Sequence, residues 1–220
     1  MVKKTKNISK FIDEEGQKAI KAAVAEAEKD TSGEIVIVVA KDSGRYDRAE
    51  DIFGLLLIVV FFVIGWKFTP FFTESSPAYG LLASIAIVIA GFEIGSAMAT
   101  YIPALKLPFL GKKEIFEEVN HRASECFYEY AIGNTKGATG VLIYISLFEH
   151  AVVVRPDRSI NISQTKWDDI CASIINGLKN KDAARGLVEG INKCGELLKE
   201  YCPLQGDNPN ELSDRIHFKY

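Results

Sequence analysis

Two long apolar runs, Ile52 to Phe72 and Ala78 to Pro103, occupy the middle of this 220-residue chain. Each has the length needed to cross a hydrocarbon core about 30 Å thick. The first contains one charge, Lys67, and the second contains one, Glu93. A soluble domain of this size has too little remaining chain to surround such a pair, so the runs read as a transmembrane hairpin. The hairpin divides the chain into residues 1–50, a membrane segment 51–105 with spans 52–72 and 78–103, and residues 106–220.

Positive charge sets the expected orientation. Arg45 and Arg48 precede the first run and Lys106, Lys112 and Lys113 follow the second, whereas the connection Thr73 to Ala78 carries Glu74 and no cation. Both flanks therefore belong in the cytoplasm of a multi-pass protein of the cell (inner) membrane, with both termini cytoplasmic. The basic N-terminus is followed by a charged amphipathic stretch and not by a short apolar core, which gives no signal-peptide pattern. Trp66, Phe68 and Tyr79 fall at the outer interface and Tyr101 at the inner one.

Glu93 is the intramembrane polar residue. A carboxyl at that depth costs about 2.5–3.5 kcal/mol on insertion scales, which makes it a candidate for a helix contact or for a proton relay. Ala86, Ala90, Ala97 and Thr100 share its helical face, while Gly91, Gly95 and Ala99 form a ridge of small residues on another. Simple antiparallel geometry sets a residue near Phe61 opposite it.

The flanks have ordinary globular composition and, at about 175 residues, are enough for one compact core. With 26 basic against 29 acidic residues and no basic stripe, the chain lacks the electrostatic footprint of a nucleic-acid binder. Cys126, Cys171, Cys194 and Cys202 show no CxxC spacing, and His121, His150 and His217 are scattered, so a Cys/His metal site is not indicated.

Residues 9–29 have helical apolar periodicity, and Glu34 to Ala40 is a short β-branched run without alternation, as in a strand covered on both faces. After the spans come a helix from Ile115 to Ile132, a second buried strand from Val141 to Leu147, and a third from His150 to Arg155 joined by a tight link. Helices over Thr165 to Leu178 and Ala183 to Glu200 precede a polar tail containing GDNPNELSD from Gly206, which reads as a segment folding back on the domain or as a partner-binding tail. One helix and one strand cannot bury a core alone. The two flanks must therefore close one α/β domain, with the hairpin inserted in the crossover between strands one and two.

Parallel strands place their carboxyl ends at one edge of the sheet, where open α/β folds usually bind ligands. Asp42, Ser43 and Gly44 follow strand one, and Ser146 and Glu149 lie at the end of strand two. Asp42 and Glu149 are candidates to share a hard cation. Asp42-Ser43-Gly44 also has ordinary turn composition, and Asp157, before Arg158-Ser159, has it as well.

The segments TSGEIVIVVAKDS from Thr31, TKGATGVLIYISLFEHAVVVRPDRSI from Thr135, the helix around Trp167, GLVEGINKCGELLKEYCP from Gly186 and the closing NELSD resemble the TPM domain family, in particular its prokaryotic branch of predicted membrane proteins. The resemblance implies a three-layer α/β/α sandwich carrying the inserted hairpin. It also implies an acidic metal or phosphate site at strand ends, with Asp42, Glu149 and Asp157 at the matching positions and calcium or magnesium as the cation. Family members have been linked to acid phosphatase activity, calcium binding, photosystem repair and auxiliary roles beside membrane proteins.

Two functions follow. The first is a non-enzymatic, membrane-associated accessory or interaction module, whose partners are the lipid bilayer and a membrane protein or a second copy of the chain. The second is a metal-dependent, acid-type phosphohydrolase. The sparse acids beside the strand ends favour the first, because phosphoryl hydrolysis wants several carboxylates around a metal and a cation for the phosphate oxygens.

Overall fold

The computed structural model describes residues 8–66, 77–204 and 210–220. They form two compact units, one built from the chain up to Gly44 and from Phe116 onward, the other from Arg45–Ile115.

In the first unit, helix α1 spans Glu14–Glu28 and starts where the Asp13 carboxylate accepts the Gly16 N–H at 2.8 Å, satisfying one of the orphan donors of the first turn. Strand β1 is Glu34–Ala40, β2 is Gly140–Ser146 and β3 is Ala151–Pro156. β1 and β2 pair in parallel from Glu34 opposite Gly140 to Ala40 opposite Ser146, and β3 returns antiparallel to β2. Every residue of β1 and β2 is buried, which explains why neither strand alternates in sequence.

One face of the sheet presents Ile35, Ile37, Val39, Val141, Ile143 and Ile145 to an apolar core shared with α1 and two later helices. Those helices are numbered below as α5, Gln164–Lys179, and α6, Ala183–Tyr201. Trp167 packs here, fully buried. Val36, Val38, Leu142 and Tyr144 point to the opposite face and are buried too, along with Val119, Ala123, Cys126 and Phe127 of the helix Lys112–Glu129 (α4). Strands covered on both faces by helices make the expected three-layer α/β/α sandwich.

The C-terminal segment adds something the hydrophobic pattern did not suggest. Residues His217–Lys219 form a fourth strand, β4, parallel to β1, so the sheet order is β3-β2-β1-β4. Leu212 donates its N–H to the Glu34 carboxylate at 3.3 Å on the way. The described part of the polar tail thus folds back on the domain, while Gly206 to Pro209 lie outside the described residues.

The second unit is a helical hairpin, α2 Asp47–Trp66 and α3 Pro77–Tyr101. The first helix begins five residues ahead of the apolar run. The expected connection, with Lys67, Phe68 and Glu74, falls outside the described residues, as does the side chain of Tyr79. The helices meet along Gly54, Gly91 and Gly95: a Cβ on Gly95 would lie 2.8 Å from the Gly54 Cα, and one on Gly91 would lie 3.2 Å from the Ile58 Cα. Close approach at these glycines sets the register, so Glu93 is level with the turn around Leu57 and not with Phe61. At the foot, Lys106 forms an ion pair with Glu50 and donates to the Arg45 carbonyl at 3.0 Å, and Thr100 donates to Glu50 at 2.9 Å. The outer surfaces are apolar and open, with Val59 62% and Leu81 64% exposed.

Candidate functional site

At the carboxyl ends of β1 and β2 the ladder continues past the strands. Leu147 and Phe148 donate their N–H groups to the carbonyls of Ala40 and Lys41 at 3.0 and 2.9 Å. This extension lays residues 41–43 beside the link to β3, where His150 takes a left-handed conformation with φ 52° to reverse the chain. Glu149 is thereby aimed across at Ser43. Its Oε1 accepts the Ser43 N–H at 2.8 Å, and its Oε2 accepts the Ser146 hydroxyl.

The hydroxyls form an ordered chain. Ser43 Oγ donates to Ser146 Oγ at 2.9 Å, and Ser146 in turn donates to Glu149. With the Ser43 proton committed, the Tyr144 hydroxyl, 3.0 Å from Ser43 Oγ, must be the donor at the start of the relay. Tyr144 and Ser146 are buried. Burial pushes the Tyr144 phenol up to about 12. The Tyr144 phenol therefore keeps its proton at neutral pH and can donate it to Ser43.

The sequence-derived candidates separate in space. Glu149 and Ser43 come together with Ser146. Asp42 sits at the same edge, with its carboxylate half exposed and 3.7 Å from the Lys41 ammonium. Asp157 lies at the other end of the sheet, since β3 runs antiparallel and its last residue, Pro156, is opposite Val141. Six strand residues at about 3.3 Å each place it roughly 20 Å from Glu149. There its N–H donates to the Gly140 carbonyl at 2.8 Å, its Oδ1 accepts the Arg158 N–H at 2.7 Å and its carbonyl accepts from Ile160, which is turn geometry. Glu93 projects from the outer face of α3, away from the Gly91 and Gly95 ridge that contacts α2, and has no hydrogen-bond or ion-pair partner among the described residues.

At the strand ends each Glu149 oxygen accepts a hydrogen bond, one from the Ser43 N–H and one from the Ser146 hydroxyl, and the Asp42 carboxylate lies beside the Lys41 ammonium. Among the described residues no three His, Cys, Asp or Glu side chains form a group able to hold a metal ion. What the arrangement does chemically is clasp the exit of β1 to the β2–β3 link. Tyr144 escaped the sequence reading because its one signal, a phenol inside an otherwise aliphatic strand, is equally that of a core residue.

An α/β/α sandwich whose first two parallel strands are separated by an inserted helical hairpin defines the architectural class. Residues 110–197 match the family model of the TPM domain. The NMR structure of the BA42 protein from the psychrophilic bacterium Bizionia argentinensis has a similar fold, with a TM-score of 0.58 at 24% identity over 96% of this chain and 98% of that one. No curated protein matches the chain.

Proposed function

We propose that this TPM-domain protein is an integral membrane protein whose hairpin crosses the bilayer twice, and that it acts as a non-enzymatic accessory module for a membrane partner. The observation that carries the reading is the hairpin surface. α2 and α3 are long enough and apolar enough to cross a membrane, and only 11% of the most apolar window of each is buried. Core helices of a soluble protein would bury theirs. Lipid is the solvent that removes the cost of Val59, Val63, Leu81 and Ile89 facing outward.

Arg45, Arg48, Lys112 and Lys113 flank the spans and favour a cytoplasmic location for the domain, with both termini on that side of the inner membrane. The strand-end relay supports a non-catalytic role, because its serines and carboxylate are engaged with one another and the deepest of them are closed to solvent. A membrane protein of complementary surface, or a second copy, is the partner the hairpin would meet in the bilayer.

Two measurements test this reading. Alkaline carbonate washing of membranes should leave the full-length chain in the pellet, and release into the supernatant would refute integration. Calorimetric titration of calcium, magnesium and manganese into the detergent-solubilised chain should show no saturable binding that depends on Glu149. Binding lost in both Asp42→Asn and Glu149→Gln would instead favour the metal-dependent phosphohydrolase.

A further inference from the structure

Far from the strand-end relay, at the amino end of β1, two carboxyls are buried together. Glu28, in the last turn of α1, is 9% exposed, and Glu34, the first residue of β1, is 2% exposed. The Glu28 Oε1 accepts the Ile35 N–H at 2.7 Å. The Glu34 Oε2 accepts the Leu212 N–H of the C-terminal segment at 3.3 Å, and the Glu211 backbone N–H also bears on this carboxyl.

Among the described residues, the groups that bear on this pair are acids and a thiol. Glu28 from α1 and Glu34 from β1 face each other; from the C-terminal segment Asp214 faces both, and Glu211 faces Glu34; from α6 the Cys194 thiol faces Glu28. Lys199 pairs with Asp30 at 2.6 Å, and Lys29 pairs with Glu26. A buried carboxylate without a cation is strongly disfavoured, and protonation removes that cost.

We propose that Glu28 and Glu34 form a proton-dependent latch for the C-terminal segment: the protonated pair holds residues 210–219, with β4, on the edge of β1, and loss of its proton releases them. The direction comes from where the charge sits. The segment that docks on the pair brings its own acids, Glu211 and Asp214, so an ionised pair repels the segment more than it strains the helices behind it. The segment is held by the Leu212 bond to Glu34, the Glu211 carboxylate accepting the Lys136 N–H at 3.1 Å, the pairing of β4 with β1, the bond of Lys219 to Glu129, the His217 ring 4.2 Å from that of Tyr130, and Ile216 and Phe218 packed against the apolar core. Release would bare the unpaired edge of β1, a surface that adds strands from other chains.

Burial, reinforced by the Glu34 and Asp214 charges and opposed by the Ile35 hydrogen bond, raises Glu28 from its ordinary 4.5 to about 8. Burial raises Glu34 as well. The latch is therefore closed at neutral pH and opens in the alkaline range.

Amide hydrogen exchange of the full-length chain in detergent micelles, corrected for the intrinsic pH dependence of exchange, tests the proposal. The reporters are the Leu212 N–H and the Lys41 N–H, which is bonded to the Lys219 carbonyl at 3.0 Å. Above pH 8 their protection factors should fall by about tenfold per pH unit while those of Ile143 and Ile145 in β2 hold. Glu28→Gln and, separately, the tail variant Asp214→Asn should each move the loss to higher pH, the second without touching the buried pair. Unchanged protection of Leu212 and Lys41 between pH 6 and 9.5 would overturn the latch. So would loss of protection in the tail and in β2 together, which would mean global unfolding.

Discussion

Single side chains decide local stability where burial meets polarity. Tyr144 illustrates this, because its hydroxyl donates to Ser43 inside a buried strand. Tyr144→Phe leaves Ser43 Oγ with one acceptor site unfilled and should cost about 1–2 kcal/mol in denaturant unfolding. Glu28 acts through pH. Its folded value of about 8 lies above its ordinary 4.5, so the folded state holds the proton more tightly than the unfolded one. Its contribution to stability is fully present below about 4.5 and is lost as pH rises through 8. Chemical unfolding at pH 5 and pH 9 should show the native chain weakening by an amount on the order of a few kcal/mol. Glu28→Gln, which keeps the acceptor for the Ile35 N–H, should flatten that slope. Glu28 and Glu34 were legible only as composition: an acid opening an aliphatic strand or closing a helix looks solvent-exposed until the tail that covers it is known.

At the scale of elements, close approach between glycines governs the helix crossings. A Cβ on Gly177 would meet the Gly186 Cα at 2.4 Å, where α5 and α6 cross. Gly186→Ala should destabilise the sandwich by about 1–3 kcal/mol, read as a lower unfolding midpoint with an unchanged denaturant slope. In the hairpin, Gly95→Leu should force α2 and α3 apart at Gly54. The elements themselves were largely visible in sequence. Aliphatic runs without alternation marked β1 and β2, and apolar periodicity located α5 and α6 within a residue or two. β4 was not visible, because a three-residue edge strand, half-buried and containing His217 and Lys219, has no hydrophobic pattern of its own. The hairpin register was misjudged for a related reason: depth alone put Phe61 opposite Glu93, whereas the glycines fix which turns touch.

For the whole molecule, the topology follows from a domain whose first strand and its parallel neighbour are separated by two apolar helices. The strand-end edge, read from sequence as a ligand-binding edge, is where Ser43, Ser146 and Glu149 meet. Sequence could not tell that their hydrogen bonds would be spent on one another, since that depends on the link geometry at His150. The central proposal is that both halves of the domain lie on one side of a membrane which α2 and α3, long and apolar enough to do so, cross. Cysteine labelling in intact cells tests it most directly, in a background where Cys126, Cys171, Cys194 and Cys202 are replaced. A membrane-impermeant maleimide should label Ser75→Cys from outside, and should reach Lys18→Cys and Lys179→Cys only after the cells are permeabilised. Labelling of Lys18→Cys or Lys179→Cys in intact cells, or protection of Ser75→Cys, would contradict the account.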